Sequence, residues 1–178
     1  MNKEAIRVGI TVGDINGVGL EVIIKTLENH DVFANTIPII YGSAKTVSYH
    51  KKAIDNTQFN FFPIKSAEEA KPKKINLINC WSEEVSIKLG EQNANGGKYA
   101  LISLEQATAD LSANKIDVLV TAPINKDCVK DAGFEFPGHT EYLAHQSKAD
   151  EVLMLMVADD LRVAVVTGHV PLKDVPAL

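Results

Sequence analysis

Apolar and polar positions alternate in blocks along the chain. Ile6 to Val12 is a β-branched run that ends in glycine, which predicts a buried strand. In the next block Leu20, Ile23, Ile24 and Leu27 recur at helical spacing, so 18–27 reads as an amphipathic helix. Ile37 to Tyr41 predicts the second strand, and Ser43 stands where it could cap a helix over 44–54. Phe59 to Phe62 reads as a short strand stopped by Pro63, and Ile75 to Ile78 as another. Residues 90–97 form a polar, glycine-bearing loop. A helix follows with Ala100, Leu101, Leu104, Ala107, Thr108 and Leu111 on one stripe, ended by Asn114 and Lys115. Ile116 to Val120 predicts a strand, and Asn125 caps a short helix that stops at Gly133. Residues 139–147 read as helix, and 152–158 and 161–167 as a strand hairpin around Asp159 and Asp160.

Strands alternating with helices predict an α/β fold with a mainly parallel sheet and helices on both faces. No repeat, heptad pattern or secure internal boundary appears. In such sheets ligands gather beyond the carboxyl ends of strands. That rule gives extra weight to three polar segments, each following a predicted strand: Gly13–Gly19, Thr121–Lys126 and Val165–Leu172. The fourth candidate is Phe136-Pro137-Gly138-His139-Thr140-Glu141.

Composition narrows the class of protein. The 178 residues carry 18 Lys plus Arg against 23 Asp plus Glu, a net charge of −5, with 46% apolar residues. A folded domain fits; nucleic-acid or anionic-membrane binding is not suggested. No apolar run approaches the ~20 residues of a membrane helix, and no signal-peptide pattern opens the chain, so a cytoplasmic protein is expected. Cys80 and Cys128 are 48 positions apart without CxxC spacing and read as reduced thiols. Lys71, Lys73 and Lys74 around Pro72 read as a solvated loop, since no aromatic residues interleave with them.

Each candidate segment keeps two readings. The Gly13–Gly19 loop is either a tight strand-to-helix turn or a ligand-lining loop; it is not GxGxxG and lacks the end of a P-loop. Lys126 is a surface lysine or an anion contact. His139 and Thr140 offer hydrogen bonds at a helix start, for capping or for binding. His169 ends an apolar strand before Val170-Pro171; one histidine is not a metal site, because zinc needs three or four ligands. His145 falls on a different helical face from His139 and reads as exposed. His30 and His50 sit near predicted helix ends and read as favourable C-terminal charges. No GxSxG elbow, HExxH pair or Cys–His pairing is present.

Taken together, Gly13-Asp14-Ile15-Asn16-Gly17-Val18-Gly19-Leu20-Glu21, the Thr-Ala-Pro-Ile-Asn-Lys of 121–126, the Phe-Pro-Gly-His-Thr-Glu of 136–141 and the His-Val-Pro-Leu of 169–172 resemble the 4-hydroxythreonine-4-phosphate dehydrogenase family of pyridoxal phosphate biosynthesis. Ile15 and Leu20 depart from it where prolines are common. The resemblance implies a three-layer αβα fold of the isocitrate/isopropylmalate dehydrogenase type. It implies NAD- or NADP-dependent oxidation of 4-phosphooxy-L-threonine with a divalent metal (Zn, Mg or Co), then decarboxylation to 3-amino-2-oxopropyl phosphate. It assigns His139 and Thr140 to substrate and His169 to metal, in a homodimer whose site combines both subunits. The family's chains continue beyond position 178 with further metal and substrate ligands. The expectation is therefore a truncated N-terminal portion, inactive alone, with exposed sheet edges and a tendency to self-associate. A phosphoacyl transferase or other phosphate-ester enzyme on a related fold, and a non-catalytic fragment, are the competing readings.

Overall fold

The computed structural model describes residues 5–177, apart from Thr57, His169 and the side chain of His30. These residues fall into two compact units, Met1–His139 and Thr140–Leu178.

The first unit is built on five parallel strands, β1 (Ile6–Thr11), β2 (Thr36–Gly42), β3 (Phe62–Ile64), β4 (Asn76–Asn79) and β5 (Val118–Thr121), in the order β3-β4-β2-β1-β5. The intervening helices are α1 (Gly19–Leu27), α2 (Ala44–Ala53), α3 (Ala94–Ser112) and α4 (Lys126–Asp131). Period-2 alternation along β2 sorts its side chains between two cores. Ile40 packs with Leu20, Ile24 and Val47 of α1 and α2, while Ile39 and Tyr41 pack with Ala107 of α3. The result is the expected α/β arrangement, a parallel sheet covered on both faces.

One polar node ties the layers. Ser103 of α3, fully buried, accepts from Val12 N at 3.1 Å and donates to Tyr41 O at 2.6 Å. The Tyr41 hydroxyl donates to Asp110 Oδ2 at 2.8 Å, and Lys115 Nζ lies 3.4 Å from Asp110 Oδ1. Burial, reinforced by Asp110, pushes the Tyr41 phenol well above its ordinary pKa, so it stays protonated and donates to Asp110.

The periodic segments form as expected: Leu20, Ile23, Ile24 and Leu27 are the buried face of α1. Asn125 caps α4 through Asp127 N and Cys128 N. Asn114 takes the left-handed conformation after α3, and Gly133 does so after α4. Three expectations are corrected. Ser43 makes no capping bond; Asn79 Oδ1, reaching over from β4, accepts from Ala44 N at 2.8 Å instead. Pro63 lies inside β3 rather than ending it, which an edge strand tolerates because it needs no second row of donors. Helix α3 begins at Ala94, within the expected loop, because Asn93 Oδ1 accepts from Gly96 N at 3.1 Å.

In the second unit, α5 (His139–Ser147) is followed by the hairpin β6 (Met154–Ala158) and β7 (Leu161–Val165), turned at Asp159 in the left-handed region. Leu155, Met156 and Val157 are all exposed although their side chains alternate between faces, as are Val118 and Val120 on edge strand β5 of the first unit.

Gly97 sets the approach of α3 to α4: a Cβ there would lie 1.9 Å from Cys128 O. Gly97→Ala is expected to destabilise by about 1–3 kcal/mol through overpacking, against the usual gain of ~0.5–1 kcal/mol for replacing a helical glycine. Urea unfolding checks this; an unchanged or higher midpoint would show that the two helices separate freely.

Candidate active site

The chain leaves β1 through Gly13–Gly19, and the sheet's parallel order brings it beside the segment that leaves β5. Gly13, at φ 65°, sits so close to that segment that a Cβ would be 2.3 Å from Pro123 O. A Cβ on Gly19 would be 2.7 Å from Val12 O, and one on Gly96, in the first turn of α3, 2.4 Å from Asp14 Oδ1. These glycines permit contact between protein segments.

The loop's N–H groups are used in the same way. Asp14 N donates to Pro123 O at 3.0 Å, Asn16 N to Asp14 Oδ1 at 2.9 Å, and Gly17 N to Asp14 O at 3.0 Å. Asn16, 2% exposed, is the hub. Its Nδ2 donates to Asn93 Oδ1 at 2.9 Å, its Oδ1 accepts from Lys88 N at 2.8 Å, and its carbonyl accepts from Gly90 N at 2.8 Å. Of the two readings of this segment, the structure supports the structural turn over its first half: Asp14 N, Asn16 N and Gly17 N are committed within the protein.

His50 supports the loop from below. Its Nε2–H donates to Ile15 O at 2.8 Å, and the ring is buried. The reading of His50 as a favourable charge at a helix end is corrected. It does stand in the last turn of α2, but burial holds its pKa below the ordinary 6.5, keeping it neutral.

Beyond β5, Ala122 N donates to Thr11 Oγ1 at 3.3 Å, tying the Thr121–Lys126 segment to β1. Lys126 is exposed at the start of α4. Together with Lys130, Phe134 and Pro137 it lines a cleft of about 510 Å3 between α4 and the segment leading to His139. Phe134 is buried, its ring 5.5 Å from that of Phe136.

His139 opens α5. Its Nε2 is buried and has no hydrogen-bond partner among the described residues, and burial lowers its pKa below 6.5. A buried nitrogen without a partner costs about 1–3 kcal/mol, and Trp81 Nε1 is the other such atom among the described residues. Thr140, half-buried, is the next residue of the helix. His145 is exposed as expected. His169 and the side chain of His30 lie outside the described residues. Among the described residues no three His, Cys, Asp or Glu side chains come together as metal ligands, and no helix is long and apolar enough to cross a membrane. Cys80 and Cys128 are free thiols. The parts missed from sequence are the hub role of Asn16 and the burial of His50. Both depend on partners 35 or more positions away, for which local spacing carries no signal.

A parallel α/β domain whose candidate polar groups follow its strand ends belongs to the class that binds small ligands at that edge of the sheet. Residues 34–178 match the family described as pyridoxal phosphate biosynthetic protein PdxA, and the chain belongs to that family. It is 43% identical over 176 residues to a 4-hydroxythreonine-4-phosphate dehydrogenase of Bacteroides thetaiotaomicron, covering 98% of this chain and 48% of that protein. It is 35% identical over 169 residues to a D-threonate 4-phosphate dehydrogenase of Cupriavidus necator, covering 94% of this chain and 50% of the relative. The crystal structure of a 4-hydroxythreonine-4-phosphate dehydrogenase from Burkholderia phymatum superposes with a TM-score of 0.86 at 34% identity, over 96% of this chain and 52% of that one. The chain thus spans about half the length of the curated relatives it matches.

The neutral state of His50 has a consequence for stability. Unfolded His50 takes up a proton near pH 6.5 while the folded residue does not, so stability falls as pH drops below 6.5, until the folded pKa is reached. The slope is at most ~1.4 kcal/mol per pH unit for each such histidine, and His139 acts in the same direction. His50→Gln should flatten the dependence of urea midpoint on pH between 7 and 5; an unchanged slope would contradict the burial assigned to this ring.

Proposed function

We propose that this chain forms the N-terminal portion of an NAD- or NADP-dependent, divalent-metal-dependent dehydrogenase that oxidises 4-phosphooxy-L-threonine at its C3 hydroxyl. The β-keto acid then loses CO2 to give 3-amino-2-oxopropyl phosphate. Support comes from membership of the family and from the names of its relatives. The observation that carries a substrate role for this portion is the buried, unpartnered Nε2 of His139 at the start of α5.

A neutral His139 offers one hydrogen bond to a substrate oxygen without bringing a charge into the site. Thr140 adds a hydroxyl that both donates and accepts. Substrate would restore the hydrogen bond that His139 lacks, so ordering the substrate and satisfying the protein occur together. His169 is retained as one metal ligand, but the described residues do not complete a ligand set and no step is derived through the metal. Nor is the nicotinamide cofactor assigned to Gly13–Gly19, where Asp14 N, Asn16 N and Gly17 N already have partners within the protein. The active unit is proposed to be a cytoplasmic homodimer.

The relative named D-threonate 4-phosphate dehydrogenase favours a second reading, oxidation of a substrate with a hydroxyl in place of the C2 amino group. Assays of the chain completed to the length of its relatives separate the two: NAD(P)H formation should be faster with 4-phosphooxy-L-threonine than with D-threonate 4-phosphate. The reverse preference would assign the second reading. In the same assay His139→Ala should lower kcat/KM roughly 10- to 100-fold, the loss of a hydrogen bond worth ~1–3 kcal/mol. A folded His139→Ala, Thr140→Ala double variant with unaltered kinetics would remove both residues from the substrate site.

A further inference from the structure

The loop carrying Lys71, Lys73 and Lys74 lies at the amino-terminal end of β3 and β4, the opposite edge of the sheet from the candidate active site. No aromatic residue interleaves with these lysines in sequence, yet the fold supplies a row of them from residues 59–62. A cleft of about 480 Å3 is lined by Phe59, Phe61 and Phe62 together with Lys73 and Lys74. Phe59 is almost fully buried and fixed in the core, with the Phe61 ring 6.5 Å away. Lys71 Nζ stands 4.2 Å from the centre of the Phe62 ring, so one cation of the loop already uses this aromatic surface. Lys73 and Lys74 are exposed and form no ion pair among the described residues. The acidic lining residue, Glu28, is engaged by Asn56 Nδ2.

We propose that this cleft is a second ligand site, for a planar aromatic ring that carries a phosphate. The ring lies against Phe61 and Phe62, where offset or edge-on packing of rings is favourable, and the phosphate meets Lys73 and Lys74 in charge-assisted hydrogen bonds. The volume falls within the ~300–1,000 Å3 range of small-molecule sites, and the lining sets the aromatic rings beside Gln58, Asn60 and the two lysines. The substrate proposed above has a phosphate but no ring, so the two sites differ in chemistry as well as in place. The inference does not depend on the proposed activity.

The test is a titration of the 178-residue chain, followed by backbone amide NMR, with pyridoxine 5′-phosphate as the aromatic phosphate. Pyridoxine serves as the ring without phosphate and inorganic phosphate as the anion without a ring. Pyridoxine 5′-phosphate should shift the amides of residues 58–62 and 73–75 and bind at least about tenfold more tightly than either half-ligand. The Lys73→Ser, Lys74→Ser double variant should weaken it by roughly tenfold or more with no change in spectral dispersion, since both side chains are exposed. Phe61→Leu should weaken it while leaving inorganic phosphate unaffected. The proposal is overturned if these amides do not move, if inorganic phosphate binds as tightly as the aromatic phosphate, or if the shifts centre on residues 121–140.

Discussion

The buried side chain of Asn16 is the contact on which this domain's working edge depends. Its amide and carbonyl hold the Gly13–Gly19 loop to Lys88, Gly90 and Asn93, segments more than 70 positions away. A parallel sheet delivers all its outgoing loops to one edge, where their backbone polar groups need partners. Here the loops satisfy each other: the β1 loop bonds to Pro123 beyond β5, and Asn93 both caps α3 and accepts from Asn16. Removing the Asn16 side chain would leave Lys88 N without its partner and take one of two bonds from Asn93 Oδ1, a loss of about 1–3 kcal/mol.

That clasp in turn positions the segment proposed to meet the substrate. With the α3 start fixed, Gly97 lets α4 approach closely, and the chain from α4 leads through buried Phe134 to His139. Electrostatics supplies the rest of the selection. Burial pushes the Cys80 thiol up to about 12, and burial raises Cys128 as well, so neither provides a thiolate near neutral pH. His50 is committed to Ile15 O. His139 is the buried imidazole whose Nε2 is still unsatisfied among the described residues.

Much of this was legible from sequence, because the strands and helices follow from local apolar spacing and parallel order follows from their alternation. The buried face of α1 is an example: Leu20, Ile23, Ile24 and Leu27 announce it themselves. Where the reading failed, a distant partner decided the outcome. Asn79 rather than Ser43 satisfies the start of α2, and Pro63 is admitted to a strand only because β3 is an edge. The glycine loop shows the same limit. Glycines at 13 and 19 announce close approach, but local sequence does not say whether a ligand or another stretch of backbone approaches. His139 and Thr140 stood out through their motif, and the orphaned Nε2 gives the first of them a physical reason to meet a ligand.

The most direct measurement is amide hydrogen exchange of Asp14, Asn16, Lys88 and Gly90, with the His139 imidazole resonances followed alongside, before and after adding 4-phosphooxy-L-threonine to the chain completed to the length of its relatives. A clasp made of protein contacts predicts that the four amides exchange only through global unfolding, with or without ligand, while the His139 resonances move. Rapid exchange at these amides that slows on binding, with His139 unmoved, would mean that the glycine loop receives the ligand and that the account is wrong.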